Sequence, residues 1–288
     1  MKKVIVFLVA SILTFEAHCQ EDLLIEFSKS QKKILLLGEQ HRLDGSVSYL
    51  KNSYSLLPKY NIKNVLIEFP ASTQKSINHY FRTGDSTQLY GILETFNCSD
   101  SNCENGSYIY YNFFRPIHLL NSNLSSKQRI NVYAIDGDYS KNFLVSLYCI
   151  KYLFNKDEYR IYIDEIDDLI INEKLTFKES YDYIKQLTTD SIIMKDEKLY
   201  SQISEVFYSI IFEEGVWSMA QKRRDSLMAE NLYKLYNNHP NEKFFGQFGM
   251  GHIKYIKGYN NFVSIMRDDR HYKRLGKEVI NCSYMYCN

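Results

Sequence analysis

The 288-residue sequence predicts an α/β fold, in which a largely parallel central sheet is flanked by helices and carries a helical insertion. Short apolar runs bounded by glycine or proline are typical of strands that are buried on both faces. Helical patterns separate these runs, and such alternation favours a parallel sheet. A strand-poor region over about residues 152–240 predicts the helical insertion.

Four apolar runs are the predicted strands, and the helical patterns lie between them. The strands are Ile34–Leu37, Asn64–Ile67, Ile130–Ile135 and Lys243–Phe248, with Glu278–Tyr286 as a candidate last strand. The helices are Val47–Leu57, a helix that begins after Ser72, Phe113–Leu120 and Asn142–Leu153. This order along the chain predicts one α/β domain over residues 20–288, with helices on the faces of the sheet.

The N-terminal segment is typical of a secretory signal peptide over residues 1–19. Lys2 and Lys3 precede the apolar run Val4–Phe15, and small and polar residues follow it. The run is short for a membrane span, and no later stretch reaches about 20 apolar residues, so we expect no integral membrane segment in the mature chain. We therefore expect export, to the periplasm or outside the cell. Lipidation of Cys19 is the less favoured alternative, because His18 stands where a small residue is usual.

Composition narrows the class of partner. A formal net charge of +1 gives no general electrostatic reason to expect nucleic acid as a partner. The chain has 25 tyrosines, which base composition of the gene or an aromatic-lined cleft could explain. The tyrosines of the helical segment are the candidates for a cleft wall: Tyr152, Tyr159, Tyr162, Tyr181, Tyr183, Tyr200 and Tyr208.

Five cysteines follow the predicted signal peptide, and export would permit disulfides. Cys98 and Cys103 enclose a polar loop, and Cys282 and Cys287 have the same spacing. Each pair predicts a local disulfide, although the spacing also fits half of a metal site. Cys149 lies in an apolar stretch, which predicts a buried and unreactive thiol.

Each of the four predicted strands is followed by a titratable residue. Glu39 and His41 follow the first, Glu68 the second, Asp136 the third and His252 the fourth. In an open parallel sheet the ligand site lies beyond the carboxyl ends of the strands. Polar residues are common at any one strand end, but the recurrence at all four predicts a shared site in one crevice.

A predicted helix adds a cation to this crevice. Arg224, Met228, Asn231 and Leu235 recur at helical spacing and share one stripe. The apolar members predict that the stripe faces inward. A buried guanidinium needs carboxylate partners, and the strand-end acids are the natural ones. A purely structural ion pair between helix and sheet is the alternative.

Several common catalytic signatures are absent from the sequence. It contains no G-x-S-x-G elbow, no P-loop, no H-E-x-x-H and no dinucleotide-binding glycine pattern. Among the other histidines, His118 follows an apolar stretch and is a candidate substrate-binding residue facing the core. His79, His239 and His271 are expected at the surface.

These motifs together resemble the erythromycin esterase family, within a superfamily that includes ChaN-like haem-uptake lipoproteins and TIKI/TraB proteins. The matching segments are Gly38-Glu39-Gln40-His41, Ile67-Glu68, Tyr133–Asp136, Arg224–Asn231 and Gly251-His252. The resemblance implies an α/β fold with helical additions and a cleft of Glu, His and Arg residues. The first motif has the shorter spacing of the ChaN-like branch, and the last keeps only its final histidine, so macrolide cleavage is not implied.

The first functional hypothesis is a secreted hydrolase of ester or lactone bonds in a small-molecule substrate. His41 would act as general base on water, since the usual histidine pKa of about 6.5 suits that role. Glu68 or Glu39 would orient its imidazole, and Arg224 and His252 would stabilise the developing oxyanion. Further candidate substrate-binding residues are Asp136, Asn231 and His118.

Two alternatives use the same crevice. No cofactor is favoured, but Glu39, His41, Glu68 and His252 are donors that a divalent metal ion accepts, and the TIKI proteins point to a metal-dependent hydrolase. The ChaN-like proteins point instead to haem or iron binding through Tyr or His.

Overall fold

The computed structural model describes residues 21–39, 54–95, 109–138, 143–172, 175–211 and 217–283. Within them, five parallel strands form one sheet in the order β3-β2-β4-β1-β5. The strands are β1 (Ile34–Glu39), β2 (Asn64–Pro70), β3 (Asn131–Asp136), β4 (Phe244–Gly249) and β5 (Val279–Ser283). The predicted α/β class with a parallel sheet is confirmed, and so is the last strand.

Helices flank the sheet and fill the long connection between β3 and β4. They are α1 (Gln74–Thr83), α2 (Thr87–Glu94), α3 (Arg115–Ser122), α4 (Phe143–Lys151), α5 (Arg160–Ile171), α6 (Phe177–Leu187), α7 (Glu197–Ser209), α8 (Trp217–Asn238), α9 (Met250–Ile253), α10 (Phe262–Asp268) and α11 (Lys273–Lys277). A further helical segment occupies residues 21–29. None of the described helices is long and apolar enough to cross a membrane.

The strands form because nearly every one of their side chains is buried. In β1, Leu35 and Leu37 pack into the apolar layer on one face, and Ile34 and Leu36 pack into the layer on the other. All six residues of β4, the central strand, are buried. Burial of each large apolar side chain contributes about 1.5–3 kcal/mol, so the two layers hold the sheet between them.

Helices α5 to α8 lie within residues 152–240, the range of the predicted helical insertion. The apolar faces of α4 to α7 form a cluster separate from the two sheet layers, which includes Ile150, Ile166, Ile184 and Ile203. The buried apolar residues of α8 pack into one of the sheet layers instead. One isolated bridge, between Asp138 and residue 210, joins the end of this cluster to the extension of β3.

Two of the predicted helices differ from what the structure shows. Residues 47–53 of the predicted helix Val47–Leu57 lie outside the described residues, and residues 54–56 form a turn that leads into the 3-10 helix Leu57–Tyr60. The predicted helix Phe113–Leu120 starts as a π-helical turn, Tyr110–Phe114, before α3. Pro116 lies in the first turn of α3, where its missing N–H leaves the regular ladder incomplete.

The strand order places a topological switch point between β2 and β4. The chain leaves β2 towards β3, and it leaves β4 in the opposite direction, towards β5. Connections that diverge from two neighbouring strands leave a crevice beyond their carboxyl ends, which is where open parallel sheets bind ligands.

Candidate active site

Glu68 lies at this switch point and is held as a carboxylate by donors from three elements. Its Oε1 accepts a hydrogen bond from Arg224 Nη2 at 2.5 Å and lies 3.4 Å from His252 Nε2. Its Oε2 accepts the Gly249 N–H at 2.7 Å, directly across the β2–β4 gap. The register of β2 against β3 shifts between Ile67 and Pro70, so Glu68 lies in an irregular stretch that re-aims its side chain.

Arg224 joins two of the strand-end acids, as the sequence predicted. Its Nε lies 2.8 and 2.9 Å from the two carboxylate oxygens of Asp136, and its Nη2 contacts both Asp136 and Glu68. The side chain is 11% exposed, and Met228 on the same stripe of α8 is fully buried. Burial raises the pKa of the Asp136 carboxyl, and the charge of Arg224 opposes that rise.

His252 is held between two carboxylates. Its Nδ1 lies 2.5 Å from Asp225 Oδ1, and Nε2 faces Glu68. Burial alone would lower the pKa of His252, but the hydrogen bonds and negative charges of Asp225 and Glu68 outweigh it and raise the pKa to about 9. The imidazole is therefore a cation at neutral pH, which suits charge stabilisation and excludes a role as the resting general base.

Asp225 is the main site residue that the strand-end argument missed. It follows Arg224 in α8, so it projects from a different side of the helix. It is 1% exposed, and besides His252 it accepts the Phe262 N–H at 3.0 Å and lies 3.3 Å from Gln221 Nε2. The adjacent Arg–Asp pair in the helix was the available signal, but the pattern alone does not show which acid faces which strand.

Of the other predicted site residues, Glu39 and Asn231 lie near the Glu68 cluster. Glu39 ends β1 opposite Gly249, accepts a hydrogen bond from Gln247, and lies two strand spacings, about 10 Å, from Glu68 along the sheet. His41 lies outside the described residues. Asn231 Nδ2 donates to the Ile135 carbonyl at 3.0 Å, which ties α8 to the end of β3.

His118 lies elsewhere among the described residues. Its ring packs 4.9 Å from that of Tyr80, between α3 and α1, and borders Gly84 at the far end of α1. Its Nδ1 has no hydrogen-bond partner among the described residues. The structure brings it no contact with Glu68, Arg224 or His252 in the described part of the chain, and its proposed substrate-binding role stays a prediction.

The described residues do not assemble a metal centre. No three of their His, Cys, Asp or Glu side chains are placed as a ligand group. The fourth proposed donor, His41, lies outside the described residues, so the metal-dependent alternative stays a prediction.

Of the cysteine predictions, the one for Cys149 is confirmed. Cys149 is buried, its Sγ lies 3.8 Å from Ser72 Oγ, and burial raises its pKa far above the ordinary range, as expected for an unreactive thiol. Cys98, Cys103 and Cys287 lie outside the described residues, as does the predicted signal peptide, and the disulfide predictions stay open.

Comparison with known proteins relates this chain to others through its fold. No family model matches it, and no curated protein matches it. Three solved structures do. A mutant of the erythromycin esterase EreC in its open conformation has a TM-score of 0.51 at 12% identity, covering 91% of this chain and 72% of that one. A protein from Bacillus cereus has a TM-score of 0.50 at 14% identity, covering 90% and 66%.

A succinoglycan biosynthesis protein has a TM-score of 0.50 at 12% identity, covering 89% of this chain and 66% of the other. The chain thus spans about two thirds of the length of the second and third structures. At identities this low the likeness shows a shared fold, and the fold is the one found in an erythromycin esterase.

Proposed function

We propose that this protein is a hydrolase that cleaves an ester or lactone bond in a small molecule, without a covalent intermediate. The observation that carries the proposal is the cluster at the β2–β4 switch point, where Arg224 and the His252 cation both approach one oxygen of Glu68. The shared fold with an erythromycin esterase supports the same reaction class.

In this proposal His41 is the general base. It removes a proton from water as the oxygen attacks the carbonyl carbon, and a neighbouring carboxylate orients its imidazole and stabilises the imidazolium. Glu68 and Glu39, at the carboxyl ends of β2 and β1, are the two candidates for that carboxylate. Proton return to the leaving alkoxide completes the cycle.

Arg224 and His252 supply positive charge for the tetrahedral oxyanion. Both cations are pre-positioned by buried acids, Asp136 behind Arg224 and Asp225 behind His252, so neither has to reorganise during the reaction. Asp136 is 2% exposed and occupied by Arg224 and the Gly137 N–H, so we assign it to holding Arg224 and not to contacting substrate.

A panel of activated esters and lactones, assayed with and without chelator, tests the proposal. We expect turnover that chelator leaves intact and that His41→Ala reduces by about 10²–10⁴-fold, the usual contribution of a general base. The matched control is His79→Ala, which removes a histidine from the surface-facing side of α1, bonded to Asp85. Full activity in His41→Ala refutes the base assignment, and loss in chelator favours the metal-dependent alternative.

The two candidate orienting acids can be separated in the same assay. Glu68→Gln and Glu39→Gln each keep the size of the side chain and remove its charge. The variant of the orienting residue should lose activity with a shifted pH profile, because the imidazolium loses its stabilising charge. If Glu68→Gln and Glu39→Gln both kept wild-type activity and an unchanged pH profile, a carboxylate partner for His41 would be refuted.

A further inference from the structure

A cavity of about 710 Å³ lies beside the free edge of β3, between the sheet and the helical insertion. This volume falls in the range of about 300–1,000 Å³ that is typical of small-molecule sites. Its lining includes Gly137, the residue after Asp136, and Asn231, which bonds to the end of β3. The cavity and the Glu68 cluster therefore lie on opposite sides of the same strand end.

A buried acid sets the hydrogen-bonding character of one wall. Asp138 is fully buried, and its carboxylate accepts from the hydroxyls of Ser72 at 3.1 Å, Ser146 at 2.6 Å and Ser209 at 3.1 Å. Ser72 and Ser209 also line the cavity. The Ser209 hydroxyl also lies 2.7 Å from the Val206 carbonyl oxygen. Since neither an ionised carboxylate nor a carbonyl can donate, the hydrogens of Ser72 and Ser209 are used by these buried acceptors, and the two side chains can offer the cavity only oxygen lone pairs. A ligand must donate to them.

The charges around the cavity balance. Lys75 and Lys234 are matched by Glu205 and Glu230, and Lys234 lies 3.5 Å from Glu230. Lys75 donates to Gln202 at 2.6 Å. With no excess of either sign to attract an ion, the donor groups of the ligand should be neutral hydroxyls and not ammonium groups.

Amide and aromatic groups complete the lining. Gln202 and Asn231 each carry an amide, which can donate and accept at once, as a polyol requires. Tyr152 and Tyr208, two of the tyrosines singled out as wall candidates, also line the cavity, and Tyr208 is 74% exposed at its mouth. An exposed aromatic ring beside amides and hydroxyl acceptors is suited to the apolar face and the hydroxyl edge of a sugar ring.

We infer that this cavity is a binding site for a neutral, hydroxyl-rich ligand of the saccharide class. This site is separate from the hydrolytic cluster, and ligand binding there does not depend on the proposed reaction. The ligand donates hydroxyl hydrogens to Ser72 and Ser209 and packs a ring face on Tyr208.

Calorimetric titration of the full chain at pH 7 with maltose, cellobiose and lactose tests the inference, with glucosamine, which is mostly the ammonium form at this pH, and glucuronic acid as charged counterparts. We expect saturable binding of at least one neutral disaccharide and weaker binding of both charged sugars. Tyr208→Ala should weaken the binding roughly five- to tenfold, the value of one lost ring contact. Tyr200→Ala, which removes a tyrosine from the same helix that does not line the cavity, should leave it unchanged.

Three results would overturn the inference: no saturable binding of any neutral sugar, stronger binding of a charged one, or unchanged affinity in Tyr208→Ala. Because Tyr208 is exposed, its substitution leaves the core intact. Turnover of a small activated ester, measured on the same samples, reports the hydrolytic proposal separately. A protein that hydrolyses the ester but binds no disaccharide therefore rejects this inference alone.

Discussion

Arg224 and His252 are cations whose positions depend on buried carboxylates. Among the described residues, three acids, Glu68, Asp136 and Asp225, contact these two cations, and each of these five side chains is at most 12% exposed. Charges taken out of water are costly unless each keeps its partner. Removing any one of these five side chains should therefore leave a buried charge without its partner. The effect should be measurable in the free energy of unfolding as well as in activity.

Removing the guanidinium should destabilise the protein strongly. Arg224→Met leaves Glu68 and Asp136 buried without their shared cation, and we expect a loss of about 3–5 kcal/mol in the free energy of unfolding. Arg224→Lys should recover only part of this, because an ammonium cannot donate in the planar geometry that serves both acids. Urea denaturation measures the effect. The control is Arg223→Met at the exposed neighbouring position, and equal midpoints for both methionine variants would contradict the prediction.

The contribution of the His252 cation to the free energy of unfolding should be lost at alkaline pH. Its folded-state pKa of about 9 lies above the unfolded value of about 6.5, so the stabilisation is complete below about 6.5 and disappears as pH rises through about 9. The difference in unfolding free energy between wild type and His252→Gln should shrink over that window. Asp225→Asn removes one carboxylate and should move the transition to lower pH. The imidazole resonance of His252 is identified by its absence in His252→Gln, and titration of that resonance near pH 6.5 in the wild type would contradict the prediction.

At the scale of elements, the close contact between α10 and α11 depends on Gly276. A Cβ at this position would lie 2.3 Å from the Met266 carbonyl oxygen, a backbone atom that cannot turn aside. Gly276→Ala should therefore destabilise the protein by about 1–3 kcal/mol or more, as overpacking does. Gly251→Ala is the matched control, since its Cβ would meet no atom within 4 Å. Thermal unfolding of the two variants measures the difference, and similar melting temperatures would contradict the packing argument.

Most of the sheet could be predicted because its strands are short apolar runs with glycine or proline at their ends. Helix α8 was predictable because Arg224, Met228 and Asn231 keep helical spacing, and its inward stripe is confirmed. The strand order could not be predicted from the sequence pattern, because the pairing of β4 between β2 and β1 depends on contacts between residues far apart in sequence. For the same reason Asp225, whose partners are His252 and the Phe262 N–H, was not singled out.

At the scale of the whole molecule, Asp138 joins the helical insertion to the sheet. Its three serine partners come from the turn before α1, from α4 and from α7, and its backbone pairs with Ser209 and Ile211. Burial raises the pKa of Asp138 to about 6, although the three hydroxyls oppose that rise. The junction therefore holds a group that titrates close to neutrality.

The pH dependence of stability should reveal this junction. Because the folded pKa of about 6 exceeds the unfolded value of about 3.8, the contribution of Asp138 is fully present below about 3.8 and is lost as pH rises through about 6. The stability of wild type relative to Asp138→Asn should fall by up to about 3 kcal/mol between pH 4 and pH 7. Urea midpoints across that range measure it, and a constant difference between the two proteins would refute the assignment.

The central position of β4 has a consequence for the order in which the protein folds. Glu68 and Gly249 are 181 positions apart in sequence, yet they are joined across adjacent strands. β1 and β2, made early in synthesis, are not neighbours and leave between them the place that β4 later fills. Closing so long a loop is slow, because its entropic cost precedes the contacts that compensate it. The sheet and the acid–cation cluster should therefore form together in a late step, so that a partly synthesised chain holds Glu68 without either of its cations.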